Sequence, residues 1–378
     1  SQKLAKSKAT RLSLICFFAL SGVMSASTIP ANDPNNLLSQ LENKTCRGYY
    51  DGRHYNNCYN IMWQTTNKQG ATNSSMANNW NFGDRGFYGD TSHFYYGSVA
   101  VAYRPGGFSG KRFWFADNAQ VDHLAFNLKK VGEGDSPWLN LVNSNNLNVT
   151  TLDVIGDVKF EIKLGGTSNI TTLNHTAELL QLKVNNENND KLDIKTFNQT
   201  GANSDTQIFN KVNVENFNLS GGKAHQLAGD ITNLNITNGT FYQGKHNGDP
   251  SGYSDSQITG GTITKVDLSG NGTLDQIDGT ISTLNQSGGQ AIQQNGTITN
   301  LNLSGGVFTH NGGTLTSITL KGGGSGSTFI NGSSTAIATI NQEGGNHAVA
   351  GKITDFNLKG GSVSNKGEIT NLNLTSAN

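Results

Sequence analysis

The chain has 378 residues, with 27 basic and 27 acidic side chains and no formal net charge. Only 14% of its residues are charged, against roughly 25% in an ordinary globular protein, while glycine takes 47 positions and proline 5. This balance excludes a disordered chain, which wants net charge and proline. It excludes a helical one too, because Gly, Asn, Thr and Ser rank low in helix propensity; stacked strands joined by tight turns fit it.

The N-terminus reads as an address label. Lys3, Lys6, Lys8 and Arg11 precede an apolar run, Leu12 to Leu20, and then the small residues "SGVMSAS". That is the layout of a secretory signal peptide over residues 1–26, cut between Ser25 and Ser27. The run is too short to cross a bilayer as a helix. Cys16 follows Ile15, where a lipoprotein site wants a small residue, so no lipidation is expected. Removing the label leaves 23 basic and 27 acidic residues. An acidic, exported chain argues against nucleic acid as a partner.

Residues 27–146 form an aromatic-rich region. Nineteen of the 31 aromatic residues fall between Leu41 and Asn140, and only ten follow, which places a boundary near 140–147. Cys46 and Cys58 are the two cysteines left after export, and one disulfide is the economical reading. Its rival, a metal site with His54, matches no zinc spacing. Two roles stand for this region. It can cap the open end of the repeat that follows, since an uncovered edge strand invites aggregation. It can also present a ligand-binding surface, for which the candidate aromatics are Tyr49, Tyr50, Tyr55, Phe94, Tyr95, Tyr96 and Trp114. Ser109 sits in "GGFSGKR", with His93 upstream and Asp117 and Asp122 downstream. The roughly 100 residues are too few for the two barrels of a serine protease of that type, so Ser109 is read as a turn serine.

From Leu147 onward one phrase recurs. It starts at Val149 and returns at Ile170, Ile194, Val214, Ile231, Ile263, Ile281, Ile298, Leu315, Ile337, Ile353 and Ile369, twelve copies in all. The last nine starts are spaced 17, 32, 18, 17, 17, 22, 16 and 16 residues apart. The 32 is read as two units with one degenerate copy, and the 22 as one unit carrying "GGGSGS". A fixed period decides the architecture. Apolar residues stand at i, i+3 and i+5. The last two share a strand face and the first is off parity, so a bend or bulge is expected between i and i+3. Most phrases then meet a Gly-Gly corner such as Gly305-Gly306, where glycine supplies positive φ. Each unit of 16–18 residues is therefore one coil of a parallel β-solenoid occupying residues 147–378. About thirteen coils at the strand spacing would make a rod of roughly 60 Å. Ile298, Leu301, Leu303, Leu315, Ile318 and Leu320 are expected to be buried. Asn at i+2 and i+4 is expected either to form side-chain ladders along the rod or to be solvated.

Solenoid lyases and hydrolases need carboxylates gathered at one height of the rod. Asp255, Asp267, Asp275 and Asp278 are expected on adjacent coils, where they can converge, but Arg is absent after Arg112 and a solvated face is the preferred reading. "GGGSGS" lacks the Asp of calcium-binding repeats. The many Asn-x-Ser/Thr sequons arise from composition.

The signal peptide followed by a Gly/Asn/Thr-rich solenoid resembles the passenger region of autotransporters, type V secreted proteins of Gram-negative bacteria. The phrase "GTITNLNLSGG" is most similar to the vacuolating-cytotoxin-like, or toxin-like outer membrane, autotransporters. The resemblance covers Leu147 to Asn378. It implies a non-enzymatic passenger on the cell surface, aimed at a host receptor or glycan in adhesion or toxin-like action. It also implies anchoring in the outer membrane through a C-terminal β-barrel that this chain does not contain, the chain being read as an N-terminal fragment. The expectation is no catalytic residue, no cofactor and no metal. The alternatives are a polysaccharide-degrading β-helix enzyme and a two-partner-secreted adhesin, though Asn32-Asp33-Pro34-Asn35 makes no convincing secretion motif for the latter.

Overall fold

The computed structural model describes residues 140–156, 159–246, 258–322 and 326–375, together with Asp117, Asn118 and Gln120; elsewhere it gives only the backbone of strands lying between Gly48 and Asn145. Among the described residues there is no helix. The chain winds as a parallel β-solenoid in which each turn contributes one strand to each of two ladders. Ladder A holds the repeated phrases, from Asn148–Gly156 to Glu368–Leu374, and ladder B the strands between them, from Lys159–Gly165 to Ser362–Asn365. Asn148 to Asn365 makes about 11 turns.

Register follows the phrase. In ladder A, Val149, Ile170, Ile194, Val214, Ile231, Ile263, Ile281, Ile298 and Leu315 stand one above the next. Ile337, Ile353 and Ile369 continue the series after an interruption. The predicted bend is present and recurs at the same place. In the pairing of neighbouring coils, position i and position i+2 have partners while i+1 is skipped, as Thr299 is between Ile298↔Leu315 and Asn300↔Ser317. A bend there turns i inward along with i+3 and i+5, in place of the i+1 that alternation alone would send into the core. Ile298, Leu301, Leu303, Ile318 and Leu320 are buried. Leu315 is only partly buried. The coil above it pairs at Thr319↔Asn341 and Leu320↔Gln342 alone, because extra residues precede Ile337 and leave Leu315 uncovered on one side.

Ladder B supplies the other half of the core. Its inward column runs Phe160, Leu180, Thr206, Ala224, Phe241, Leu274, Ala291, Phe308, Phe329 and Val349. The Phe308 and Phe329 rings stack at 5.7 Å, and Phe197 and Phe217 on the ladder A side at 4.4 Å. No coil encloses a core alone; each apolar side chain is covered by the coils before and after it. The corners need glycine for two reasons at once. Gly296 has φ 78°, and a Cβ there would lie 2.6 Å from the carbonyl oxygen of Gly279 in the preceding coil.

The spacing of 32 residues is not a degenerate coil. Ile231 pairs directly with Ile263, and Phe241 with Leu274, so no further coil stands between them in either ladder. The reading of two units fails because length alone does not distinguish a coil from a loop.

The parallel ladders also run upstream of residue 147. Gln120–Leu128 pairs with Asn148–Gly156, and Ser98–Tyr103 with Gln120–Leu128. Val121, Leu124 and Phe126 repeat the i, i+3, i+5 spacing and align with Val149, Leu152 and Val154. Asn60–Gln64 lies antiparallel to Ser98–Tyr103.

Candidate binding surface

The outward positions of ladder A form hydrogen-bonded amide columns. At i+4, Asn174 Nδ2 donates to Asp153 Oδ1 (2.8 Å), Asn198 to Asn174 (2.9 Å), Asn218 to Asn198 (2.9 Å) and Asn235 to Asn218 (2.8 Å). A second run starts at Asp267, which accepts from Asn285 (2.9 Å), and Asn285 accepts from Asn302 (2.9 Å). Asn341, Asn357 and Asn373 make a third. Every bond points the same way, from an amide nitrogen to the oxygen one coil earlier. A carboxylate accepts and cannot donate, so Asp fits only at the N-terminal start of a run. Asp153 and Asp267 hold that place at i+4, Asp355 at i+2 under Asn371, Asp193 under Asn213, and Asp117 under Asn145. The choice between ladders and solvated Asn is thus decided for these side chains in favour of ladders.

A second amide column was not anticipated from the sequence. Gln226, Gln243, Gln276 and Gln293, followed by His310 and Asn331, end successive strands of ladder B and point inward at one corner. Each Gln Nε2 donates to carbonyls of the turn and of the next coil: Gln276 to Thr297 O (3.0 Å) and Gly279 O (3.4 Å), Gln293 to Thr314 O (2.9 Å). The turn carbonyls of Gly279 and Gly296 also accept a main-chain N–H from the next coil, that of Thr297 and Thr314, so each glutamine adds a second donor across the corner. The signal available was a Gln, His or Asn one to three residues before Gly, as in "TFYQG" and "IQQNG", a weak pattern in a chain so rich in amides.

Inside the rod, His175 Nε2 donates to Asp205 O (3.0 Å) while Nδ1 accepts from Ala177 N (3.3 Å). Burial lowers its pKa to about 4. His310 is also lowered by burial.

The carboxylates singled out from the sequence do not converge. Asp267 and Asp275 belong to one coil rather than to adjacent ones, on ladder A and ladder B respectively. Asp267 accepts from Asn285 and meets Lys265 Nζ at 2.7 Å. Asp275 stands in register between Tyr242 and Ile292, and burial raises its carboxyl above the usual range. Asp278 caps its own turn by accepting from Gly279 N (2.8 Å). Asp255 lies outside the described residues. Asp117, once weighed as a partner of Ser109, accepts from Asn145. Among the described residues no group of three His, Cys, Asp or Glu side chains is placed to hold a metal ion.

Of the aromatic candidates, Tyr49, Tyr50 and Tyr55 belong to two short antiparallel strands, Gly48–Tyr50 and Arg53–Tyr55, and Trp114 to Lys111–Trp114, whose backbone pairs it with Tyr88. Phe94, Tyr95 and Tyr96, the two cysteines Cys46 and Cys58, and His54 as a ligand, His93 and Ser109 concern positions or side chains outside the described residues.

A search of family models, of curated proteins and of solved structures finds no match to the chain.

Proposed function

We propose that the chain is the exported passenger of an autotransporter of the vacuolating-cytotoxin-like kind, displayed at the cell surface and acting on host cells by extended, non-catalytic binding. The observation that carries this reading is the outer wall of the solenoid. It repeats the same uncharged amides and hydroxyls coil after coil, and Asp153, Asp267, Asp355 and Asp278 are committed to ladder ends and a turn cap. Such a wall spreads weak contacts over many coils, and repetition multiplies them through effective concentration. It offers few ionisable groups tuned toward neutral pH, which catalysis by acid and base requires. The signal-peptide layout of residues 1–26 supports export. The test is adhesion of the purified chain to cultured epithelial cells, run beside a reducing-end assay on acidic and neutral glycans. Saturable adhesion without turnover is expected. Turnover lost in Asp267→Asn or Asp275→Asn would replace this reading with the glycan-degrading enzyme.

A further inference from the structure

One stretch of the wall is recessed. A trench of about 470 Å³ crosses four coils, between a column of Asp267, Asn285 and Asn302 and a column of Ser269, Ser287 and Ser304 that ends at Lys321. Its volume falls within the range of roughly 300–1,000 Å³ typical of small-ligand sites. The two walls differ in hydrogen-bonding character. Ser287 Oγ donates to Leu268 O (3.5 Å) and Ser304 Oγ to Gln286 O (3.3 Å), so each hydroxyl proton is committed to the main chain of the preceding coil and the oxygen lone pairs are left for a ligand. Asn285 and Asn302 each use one amide N–H along the column, on Asp267 and Asn285, and each has a second. Over the two middle coils one wall therefore accepts, through Ser287 and Ser304, and the other donates, through Asn285 and Asn302, at a repeat of about 4.8 Å.

We propose that this trench binds a linear, uncharged oligosaccharide lying along the rod axis. A sugar chain carries hydroxyls on both edges, each able to donate and accept, at an interval close to one coil. An extended peptide advances about 3.3 Å per residue and falls out of step with the walls within two coils. Anionic chains meet Asp267 at one end, and Lys321 at the other is held by Glu343 at 2.9 Å. The lining has no aromatic ring, so affinity comes from repeated hydrogen bonds and grows with chain length. This assigns a ligand class to the binding activity proposed above and rests on that reading only for its biological setting.

The test is calorimetric titration of the full chain with neutral hexasaccharides of β-linked glucose, β-linked N-acetylglucosamine and α-linked glucose, with a heparin-derived hexasaccharide as the anionic comparator. At least one neutral series is expected to bind, more tightly as hexamer than as trimer, and the anionic one not. Ser287→Phe and Ser304→Phe, which fill the trench, are expected to weaken binding at least tenfold. Ser220→Phe, in the same column but outside the trench, is expected to leave it unchanged; melting curves identify any variant that fails to fold, and Ser287→Val tests the hydroxyl without filling. Absence of neutral binding, equal or tighter binding of the anionic hexamer, or wild-type affinity in folded Ser287→Phe and Ser304→Phe would each overturn the assignment. Cell adhesion is scored separately: adhesion that persists without any oligosaccharide binding overturns the trench and leaves the passenger reading standing.

Discussion

The two amide columns, Asn on the outer wall of ladder A and Gln inside the corner after ladder B, use the same functional group for opposite purposes. The outer amides bond to one another. Those wholly in the half-exposed part of the wall, such as Asn302, exchange one good bond for water when lost. The inner Gln side chains are fully buried and tie each turn to the next coil through backbone carbonyls such as Gly279 O, which accepts from Thr297 N as well. Their arrangement also has a cost: Oε1 of Gln226 and Gln276 is buried without a hydrogen-bond partner among the described residues. A corner that tolerates this holds its glutamines for their N–H groups. The lesson is that an amide column on the wall sets register cheaply, whereas the inner column closes the turns and cannot be spared.

That contrast can be broken by substitution. Gln276→Ala removes the Gln276 donor from Thr297 O and Gln243 Oε1 in a dry corner, while Gly279 O keeps Thr297 N; a loss of about 2 kcal/mol is expected in urea unfolding, within the range for buried groups left unpaired. Acid should act next most strongly, through His175. Its folded pKa of about 4 lies below the ordinary 6.5, so the unfolded chain takes up the proton first. This histidine's contribution is fully present above pH 6.5 and drains as pH falls toward 4. His175→Gln copies the residue that pairs with it in the next coil, Gln199, and is expected to flatten the fall in urea midpoint between pH 7 and 4.5. On the outer wall, Asn302→Ala should cost only about 1 kcal/mol, one part-buried hydrogen bond. A loss equal to that of Gln276→Ala would erase the distinction. Smallest of all, removing residues 247–257 is expected to change stability by about 0.6 kcal/mol or less on the scale of chain-length changes between paired elements, because Ile231 and Ile263 pair directly.

How much of this was legible follows from what each pattern encodes. The phrase Ile298–Leu303 carries its own periodicity, so the coil, the bend and the buried residues could be read directly. Leu315 escaped because its burial depends on the coil above, which an insertion displaces. The 32-residue spacing after Ile231 does not reveal its coil number because spacing counts residues and not strands; only the direct pairing of Ile231 with Ile263 separates the cases. Val121, Leu124 and Phe126 were legible but hidden in aromatic surroundings that changed the composition without changing the phrase. The inner glutamines and the trench depend on which face of a corner a side chain takes. In a chain where Asn, Gln, Ser and Thr occupy most polar positions, no local signal marks that.

The central claim is that successive phrases stack in parallel and in register, and engineered cysteines test it most directly. Asn302 and Thr319 are register partners on adjacent coils, about 4.8 Å apart at Cα by strand spacing and inside the roughly 4.4–6.8 Å window for a disulfide. The account predicts that Asn302→Cys with Thr319→Cys oxidises quantitatively in the folded protein, as read by mass spectrometry of non-reduced peptides, with the melting temperature retained. Asn302→Cys with Ser317→Cys, offset by two residues and so about 8 Å apart, should stay reduced. Preferential bonding of the offset pair would contradict the register, and with it the solenoid described here.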